Sequence, residues 1–259
     1  MKIVAVANQK GGVGKTTTSV NLSASLAAMG RRVLLVDLDP QGNATMSSGV
    51  DKHEVAATSY DLLVGQLPLA EVIVQTGDAG YSLVAANRDL TAAEVELLDV
   101  EQRERRLAEA LAAGFQFDVV IIDCPPSLSM LTVNALVAAQ SVLVTMQCEY
   151  FALEGLSALL NTIRRVADTV NPSLSIEGIL RTMYDPRNAL TGEVSSQLHK
   201  HFGDLVYRTV IPRNVRLAEA PSHGLPALHY DRYSSGARAY AALAGEFVKR
   251  QGSQNRAPE

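Results

Sequence analysis

The sequence predicts a single-domain α/β protein with a mostly parallel, twisted sheet and helices on both faces of the sheet. Short apolar runs rich in β-branched residues alternate with stretches of helical periodicity along the chain, as in parallel sheets joined by crossover helices. The 259 residues contain no repeat or linker, and one α/β domain often has this length. We assign residues 1–250 to this domain and expect the polar residues 251–259 to form a disordered tail.

The strands are predicted from nearly uninterrupted apolar runs, which are typical of strands buried on both faces. In chain order the predicted strands are 3–7, 32–37, 81–86, 118–123, 141–146, 176–183 and 205–211.

The helices are predicted from apolar residues at helical spacing and from end signals. Gly30 ends the first helix, and Thr91 with Glu94 three residues on fits a capping box. The segment 39–49 is rich in Gly, Asn and Ser and is predicted to be a loop. The predicted helices are 16–29, 58–64, 92–113, 153–170, 191–202 and 234–250.

The charge balance alone does not predict a nucleic-acid binder. Lys and Arg total 23 against 27 Asp and Glu, a formal charge of -4. Basic residues nevertheless outnumber acids between residues 181 and 238. Scattered arginines are also typical of a solvated surface, and composition alone favours that interpretation.

The sequence indicates a soluble cytoplasmic protein. The apolar run at residues 3–7 is too short for a secretory signal, and no apolar segment is long enough to cross a bilayer. Cys124 and Cys148 are too few and too far apart for a disulfide framework or a zinc pattern. We expect two reduced thiols.

A glycine-rich segment between the first strand and the first helix has the pattern of a phosphate loop. The usual pattern is G-x-x-x-x-G-K-[ST], but Gln9 stands where its first glycine is expected. An ordinary glycine turn is the competing interpretation, and the strand before and the helix after the segment disfavour it. The residues of the loop are Lys10, Gly11, Gly12, Val13, Gly14, Lys15, Thr16 and Thr17.

The composition of the loop suits a nucleoside triphosphate. Glycines let backbone N–H groups converge on phosphate oxygens, and a helix N-terminus adds positive potential. We expect Lys15 to reach the β- and γ-phosphates, Thr16 to ligate Mg²⁺ and Thr17 to contact the α-phosphate.

Carboxylates end two of the predicted strands, at the sheet edge where open α/β sheets bind ligands. Asp123 can hold Mg²⁺ through water, or it can cap the turn at residues 125–127. Asp37 and Asp39 end the second strand. One of them could position the attacking water, and turn chemistry before Pro40 is the alternative.

Four segments together resemble the ParA/Soj family of partitioning proteins. Residues 10–17, KGGVGKTT, resemble the deviant Walker A motif of the MinD/ParA group of P-loop ATPases. VDLDPQGNAT at 36–45 is similar to the Walker A′ motif, and IIDCPPSL at 121–128 to the Walker B motif. TVIPRNVRLAEAPSHGLPALHYD at 209–231 resembles the C-terminal ParA/Soj signature, which is the most discriminating of the four.

The resemblance implies roles for particular residues. Lys10 corresponds to the signature lysine, which reaches the nucleotide of the other subunit in an ATP-sandwich dimer. Asp39 corresponds to the residue that prepares the hydrolytic water. Pro212 and Asn214 correspond to positions that hold the adenine.

The resemblance also implies a cycle and its partners. Arg187 and Arg216 match basic positions that family members use on DNA. The implied protein uses ATP and Mg²⁺, forms an ATP-dependent homodimer and binds nucleoid DNA without sequence preference. A ParB-type protein, bound at a centromere-like site, stimulates a weak intrinsic ATPase and releases the dimer.

A MinD-like membrane ATPase that positions cell division is the nearest alternative. Such proteins end in a basic amphipathic helix that enters the bilayer. This chain ends in GSQNRAPE, and the preceding Ala-rich helix is expected to pack on the core.

The residues present in the sequence disfavour three further alternatives. An iron protein with a cluster between two subunits needs thiolates in a CGG-type context. A tyrosine kinase of the polysaccharide-export type needs a C-terminal tyrosine cluster. A non-enzymatic DNA-binding module would leave Lys15, Asp39 and Asp123 without a role.

Overall fold

A central parallel sheet organises the computed structural model, which describes residues 1–112, 116–150 and 152–254. Within that part of the chain the sheet has eight strands in the order β3-β4-β2-β5-β1-β6-β7-β8. Only the pairing of β3 with β4 is antiparallel. The strands are β1 Lys2–Ala7, β2 Val33–Asp37, β3 Ile73–Gln75, β4 Ser82–Val84, β5 Val119–Asp123, β6 Ser141–Gln147, β7 Ser175–Tyr184 and β8 Val206–Pro212.

Helices cover both faces of this sheet. They are α1 Lys15–Ala28, α2 Asn43–Ser47, α3 Ser59–Val64, α4 Leu69–Val72, α5 Leu90–Glu96, α6 Arg106–Leu111, α7 Met130–Ala138, α8 Ala152–Thr169, α9 Ala189–Phe202, α10 Val215–Glu219, α11 Ala227–Tyr230 and α12 Ser235–Gln254.

Alternate residues of the strands build two hydrophobic cores, one on each face. Ile3 and Ala5 of β1 join a cluster with α7 and α8, whereas Val4 and Val6 join a cluster with α1 and α12. This alternation is the period of two that a strand imposes on its side chains. The predicted single-domain α/β fold is therefore confirmed.

Strand register brings the chemically important ends together. β1 lies between β5 and β6, so the loop after β1 emerges near the centre of the carboxyl edge. Asp37 of β2 lies beside Asp123 of β5. The glycine-rich loop and the strand-end aspartates thus share one edge, as expected for parallel strands.

Two predicted elements are wrong. The segment 39–49 contains α2, which starts after Gly42 in a left-handed conformation (φ 60°) and is held by hydrogen bonds from Thr45 to Asp37. The helix predicted at 92–113 is interrupted, because Gln102 has a φ of 53° between α5 and α6. Thr91 lies inside α5 rather than at its cap. Residue 113 falls outside the described residues.

Several elements were not anticipated: the predicted elements have no counterpart of β3, α4, α7, α10 or α11, and α12 is longer than predicted. α7 is almost wholly apolar and buried, so it has no polar face to reveal its period. α12 continues to Gln254 and takes in the first four residues of the predicted tail, 251–254. Residues 255–259 fall outside the described residues.

α12 packs on the core, as predicted. Its apolar side chains Tyr240, Leu243 and Phe247 are buried against α1 and β8. Glu246 of α12 accepts hydrogen bonds from the backbone N–H groups of Arg208 and Thr209, both 2.9 Å. Among the described residues, no helix has the length and apolarity needed to span a bilayer.

We expect Phe247→Ala to lower the free energy of unfolding by about 3–5 kcal/mol, because it removes a fully buried aromatic ring and leaves a cavity. Denaturant titration followed by circular dichroism measures the change. Arg238→Ala, at an exposed position of the same helix, should change it by less than about 0.5 kcal/mol. Equal unfolding midpoints for the two variants would contradict the packing role of α12.

Candidate nucleotide site

The loop between β1 and α1 forms a cradle at the carboxyl edge of the sheet. Gly12 and Gly14 adopt left-handed conformations, with φ of 71° and 80°, which residues with a Cβ rarely adopt. Gly14 immediately precedes the first residue of α1. The unpaired N–H groups of the helix start therefore face the same space as the glycine backbone.

A pocket of about 550 Å³ opens above this cradle. One end is polar and is lined by Gly11, Gly12, Gly14, Lys15, Thr16, Thr17, Asp39, Gln41 and Asn43. The other end is mostly apolar and includes Met183, Ile211, Pro212, Asn214, Leu217, Ala218 and Tyr240. A polar end for phosphates and an apolar end for a base fit one nucleotide.

Lys15 folds back over the cradle. Its Nζ donates a hydrogen bond to the carbonyl oxygen of Lys10 at 3.1 Å, and the side chain is buried. Burial lowers the pKa of Lys15, an effect that the nearby Asp123, Cys124 and Asp39 oppose. A desolvated ammonium beside the glycines is placed to bind phosphate oxygens.

Thr16 and Asp123 form the donor set that suits Mg²⁺. Thr16 Oγ1 donates to Asp123 Oδ2 and Ser19 Oγ donates to Asp123 Oδ1, both at 2.8 Å. Burial, together with the neighbouring Asp37, raises the pKa of Asp123 to about 8. Hydroxyl and carboxylate oxygens are the ligands that Mg²⁺ prefers, so these residues fit the ion.

The positions of Thr16 and Asp123 relative to the pocket indicate how each residue would hold Mg²⁺. Thr16 lines the pocket whereas Asp123 lies behind it, so Thr16 would ligate directly and Asp123 through water. Among the described residues no cluster of three or more His, Cys, Asp or Glu could hold a metal by itself. When bound, Mg²⁺ would neutralise phosphate charge. Ser19 was not predicted, although its position three residues after Thr16 places both on one helix face.

The structure separates the roles of Asp37 and Asp39. Asp37 is fully buried, accepts hydrogen bonds from Asp39 N, Thr45 N and Thr45 Oγ1, and has its pKa raised to about 6 by burial. Asp39 lines the pocket, and its Oδ1 accepts from Gln41 N at 2.9 Å. Of the two aspartates that the sequence left open, Asp39 is the one beside the phosphate end.

Lys10 belongs to the loop but not to the lining of its own pocket. Its backbone N–H donates to Asn8 Oδ1 at 2.9 Å, and its Nζ forms an ion pair with Glu149 Oε2. About half of the Lys10 side chain is exposed. The structure therefore brings Lys15, Thr16 and Asp123 together. Val13 is buried in the loop and is not part of the pocket lining, and the Lys10 ammonium points to Glu149.

Pro212 and Asn214 lie at the apolar end of the pocket. The Asn214 side chain is already engaged: Oδ1 caps α10 by accepting from Arg216 N at 3.0 Å, and Nδ2 donates to Ser235 Oγ at 2.8 Å. Both residues therefore line the part of the pocket that suits a base.

The sequence did not predict the contribution of β7. Thr182 Oγ1 donates to the Val13 carbonyl at 2.9 Å and so fixes the cradle to the sheet. Met183 lines the pocket with a φ of 48°, a conformation that costs roughly 1–2 kcal/mol for an L-residue. No local sequence signal marks this conformation.

The two arginines with predicted DNA contacts lie on the surface in ion pairs. Arg187 is 87% exposed in its side chain and pairs with Asp185 at 2.8 Å. Arg216 pairs with Glu219 at 2.8 Å and with Asp231 at 3.4 Å. Such exposed pairs are weak and leave both guanidinium groups accessible.

The two cysteines do not fit an iron–sulfur cluster between subunits. Cys124 and Cys148 are 1% and 4% exposed. Burial raises the pKa of Cys148 to about 11 and that of Cys124 further. Cluster ligands are thiolates at the shared surface, and these are buried thiols.

A glycine cradle, a buried lysine and a hydroxyl–carboxylate pair at the edge of a parallel sheet define a P-loop ATPase. A family model described as AAA domain matches residues 1–176. The sporulation initiation inhibitor protein Soj of Bacillus subtilis is 54% identical over 95% of this chain and 97% of its own. The chromosome partitioning protein ParA of Caulobacter vibrioides is 49% identical over 97% of this chain and 95% of its own. The chain belongs to the ParA/Soj family of ATPases.

Two solved structures have the same fold as this chain, and one of them contains ADP and magnesium. A cobyrinic acid a,c-diamide synthase from Mycobacterium smegmatis, solved with bound ADP and magnesium, has a TM-score of 0.86 and 40% identity over 100% of this chain and 98% of its own. The cell division ATPase MinD of Pyrococcus furiosus has a TM-score of 0.79 and 26% identity over 96% of this chain and 98% of its own. The protein is an ATP hydrolase that uses ATP and Mg²⁺.

We expect Lys15→Ala to abolish measurable ATP binding, because the phosphate end then loses its buried ammonium. Isothermal titration calorimetry with ATP and Mg²⁺ measures the affinity. Lys200→Ala, which removes the same charge from an exposed position of α9, should bind as the parent does. Tight ATP binding by Lys15→Ala would refute the assignment of the phosphate end.

Proposed function

We propose that the protein is an ATP-dependent DNA-partitioning switch. Two subunits close around two ATP molecules, and the dimer binds nucleoid DNA without sequence preference. A ParB-type centromere-binding protein then stimulates hydrolysis and releases the dimer. The names of the ParA and Soj relatives support the partitioning role.

The position of Lys10 is the observation that carries the proposal. Lys15 already occupies the phosphate end of the pocket, and the Lys10 ammonium points to a surface residue, Glu149. A half-exposed cation at the rim of one site can approach a triphosphate presented by a second subunit. It would neutralise charge there as an arginine finger does.

Asp39 is proposed to orient the water that attacks the γ-phosphate. Among the described residues that line the pocket, it is the one carboxylate. Its backbone N–H donates to the buried Asp37 at 3.1 Å, which fixes where the loop places it. A carboxylate in this position can accept a hydrogen bond from water.

The DNA surface is proposed around Arg187 and Arg216. Both guanidinium groups are exposed, and the segment 181–238 carries more basic than acidic residues. A dimer doubles the number of phosphate contacts, so binding should depend steeply on salt concentration. Such contacts are sequence-independent, which agrees with a location on the nucleoid.

The membrane-binding alternative needs an apolar helix face that is available to lipid. The apolar face of α12 is occupied by packing against α1 and β8. This packing favours the DNA-partitioning role.

We expect Asp39→Ala to bind ATP and dimerise but to hydrolyse ATP at least about tenfold more slowly, because the attacking water loses its acceptor. Phosphate release measures hydrolysis, and light scattering with ATP measures the dimer. Normal turnover, with or without the ParB-type protein, would exclude the proposed role of Asp39.

The control introduces Lys10→Ala into the Asp39→Ala protein. If Lys10 reaches the other subunit's nucleotide, the double variant should bind ATP yet remain monomeric. An ATP-dependent dimer that forms equally well without the Lys10 ammonium would contradict the sandwich arrangement.

We expect Arg216→Glu to lose DNA binding while keeping the ATP-dependent dimer, because it reverses a charge at a phosphate contact. Binding to nonspecific duplex DNA is followed by fluorescence anisotropy over a salt series. Arg164→Glu makes the same charge change on the exposed side of α8 and should retain binding. Equal DNA retention by both variants at low salt would eliminate the proposed surface.

A further inference from the structure

The outward side of α5 and of the turn that follows it is apolar. The 3-10 turn Leu97–Asp99 continues α5, and the inward side of the two is fully buried. A surface helix normally presents polar residues on the side opposite its buried face. Here Val95 is 68% exposed and Leu98 is 55% exposed, and Val100 follows at 37%. The buried residues of the inward side are Leu90, Ala93 and Leu97.

Val95, Leu98 and Val100, which we call the α5 patch, form a concentrated group of exposed apolar side chains. Twelve large apolar residues are exposed in the described part of the chain, and no other six-residue stretch there contains more than one of them. Val95 and Leu98 are three residues apart, so they are neighbours on the helix surface. Single exposed apolar residues are ordinary, whereas a contiguous group indicates an interaction surface.

The charges around the α5 patch are mostly negative. Residues 89–101 contain five acids and no Lys, Arg or His. Arg88 and Arg103 flank this segment, and Arg103 donates a hydrogen bond to the carbonyl oxygen of Leu98. Three of the acids have no ion pair or side-chain hydrogen bond with any described residue, namely Glu94, Asp99 and Glu101. Their carboxylates are therefore available to a partner.

We propose that the α5 patch is a docking site for a short, basic, amphipathic segment of a partner protein. Apolar residues at helical spacing on that segment would cover Val95 and Leu98. Its Lys or Arg residues would pair with the available carboxylates, which gives the contact its charge complementarity.

The charge and size of the α5 patch disfavour other occupants. The carboxylates repel nucleic acid and anionic lipid surfaces. A second copy of this chain would need roughly 800 Å² on each partner for a stable interface, and three side chains present much less than that. A short segment of opposite charge is the occupant that fits both properties.

The α5 patch is separate from the nucleotide pocket. None of the residues 89–101 lines that pocket, and the strand before α5, β4, lies next to the edge strand of the sheet. Binding of ATP and binding at the α5 patch are therefore measured independently, and normal ATP affinity shows that a patch variant is folded.

The test uses a synthetic Leu/Lys peptide with its leucines at helical spacing, labelled for fluorescence anisotropy and titrated with the full chain. We expect Leu98→Ser to weaken peptide binding by about tenfold or more, because a leucine contact is lost. Met29→Ser changes a residue of similar exposure, 49%, at the end of α1 and should bind the peptide as the parent does. Both variants should bind ATP with the affinity of the parent.

Two further peptides separate the apolar contribution from the charge. An Ala/Lys peptide keeps the charge and a Leu/Glu peptide keeps the leucines, and each should bind at least about tenfold more weakly than the Leu/Lys peptide. Asp99→Asn should weaken binding of the Leu/Lys peptide and reduce its dependence on salt concentration.

Four results would overturn the proposal. The first two are equal peptide binding by Leu98→Ser and Met29→Ser, and binding of the Ala/Lys peptide as tight as that of the Leu/Lys peptide. The third is binding of the parent to phosphatidylglycerol vesicles that Leu98→Ser abolishes, which would identify a lipid surface. The fourth is a nucleotide-free dimer that Leu98→Ser converts to monomer, which would identify a second copy. None of these results depends on the partitioning role.

Discussion

The buried carboxylate of Asp123 is the group on which the geometry of the site depends. It ends β5 at the centre of the sheet and accepts hydrogen bonds from two hydroxyls of α1, Thr16 and Ser19. These bonds fix the start of α1, and with it the phosphate loop, against the sheet. Burying a carboxylate is costly without partners, and its raised pKa reflects that cost. Bound Mg²⁺ would favour the ionised form.

A second buried carboxylate, Asp37, performs the same task for the opposite wall of the pocket. It lies beside Asp123 in the register of the sheet and binds Thr45 of α2. Thr45 Oγ1 in turn accepts from Ala86 N at 2.8 Å. The loop that carries Asp39 is thereby fixed at both ends. Asp37 and Asp39 thus have different roles, because Asp37 is enclosed by hydrogen-bond donors and Asp39 faces the pocket.

The sequence predicted the features that depend on local pattern and missed those that depend on distant contacts. Seven of the eight strands and the phosphate loop follow from apolar runs and glycine spacing, whereas the three-residue β3 was not predicted. α2 forms because Thr45 donates hydrogen bonds to Asp37 at the end of β2. The helix predicted at 92–113 is interrupted where Gln102 takes a positive φ. Met183 takes its positive φ at a register shift between β7 and β8. Neither the sign of a φ angle nor a strand register can be read from adjacent residues.

The three cations proposed to act between subunits or on DNA, Lys10, Arg187 and Arg216, are held in exposed pairs within one subunit. Lys10 pairs with Glu149, Arg187 with Asp185, and Arg216 with Glu219 and Asp231. Exposed pairs are weak, so a polyphosphate or a DNA backbone can replace the carboxylates at low cost. The pairs also reduce the positive field of a free subunit. In the proposed cycle, dimerisation would then matter because only several simultaneous phosphate contacts outcompete these carboxylates.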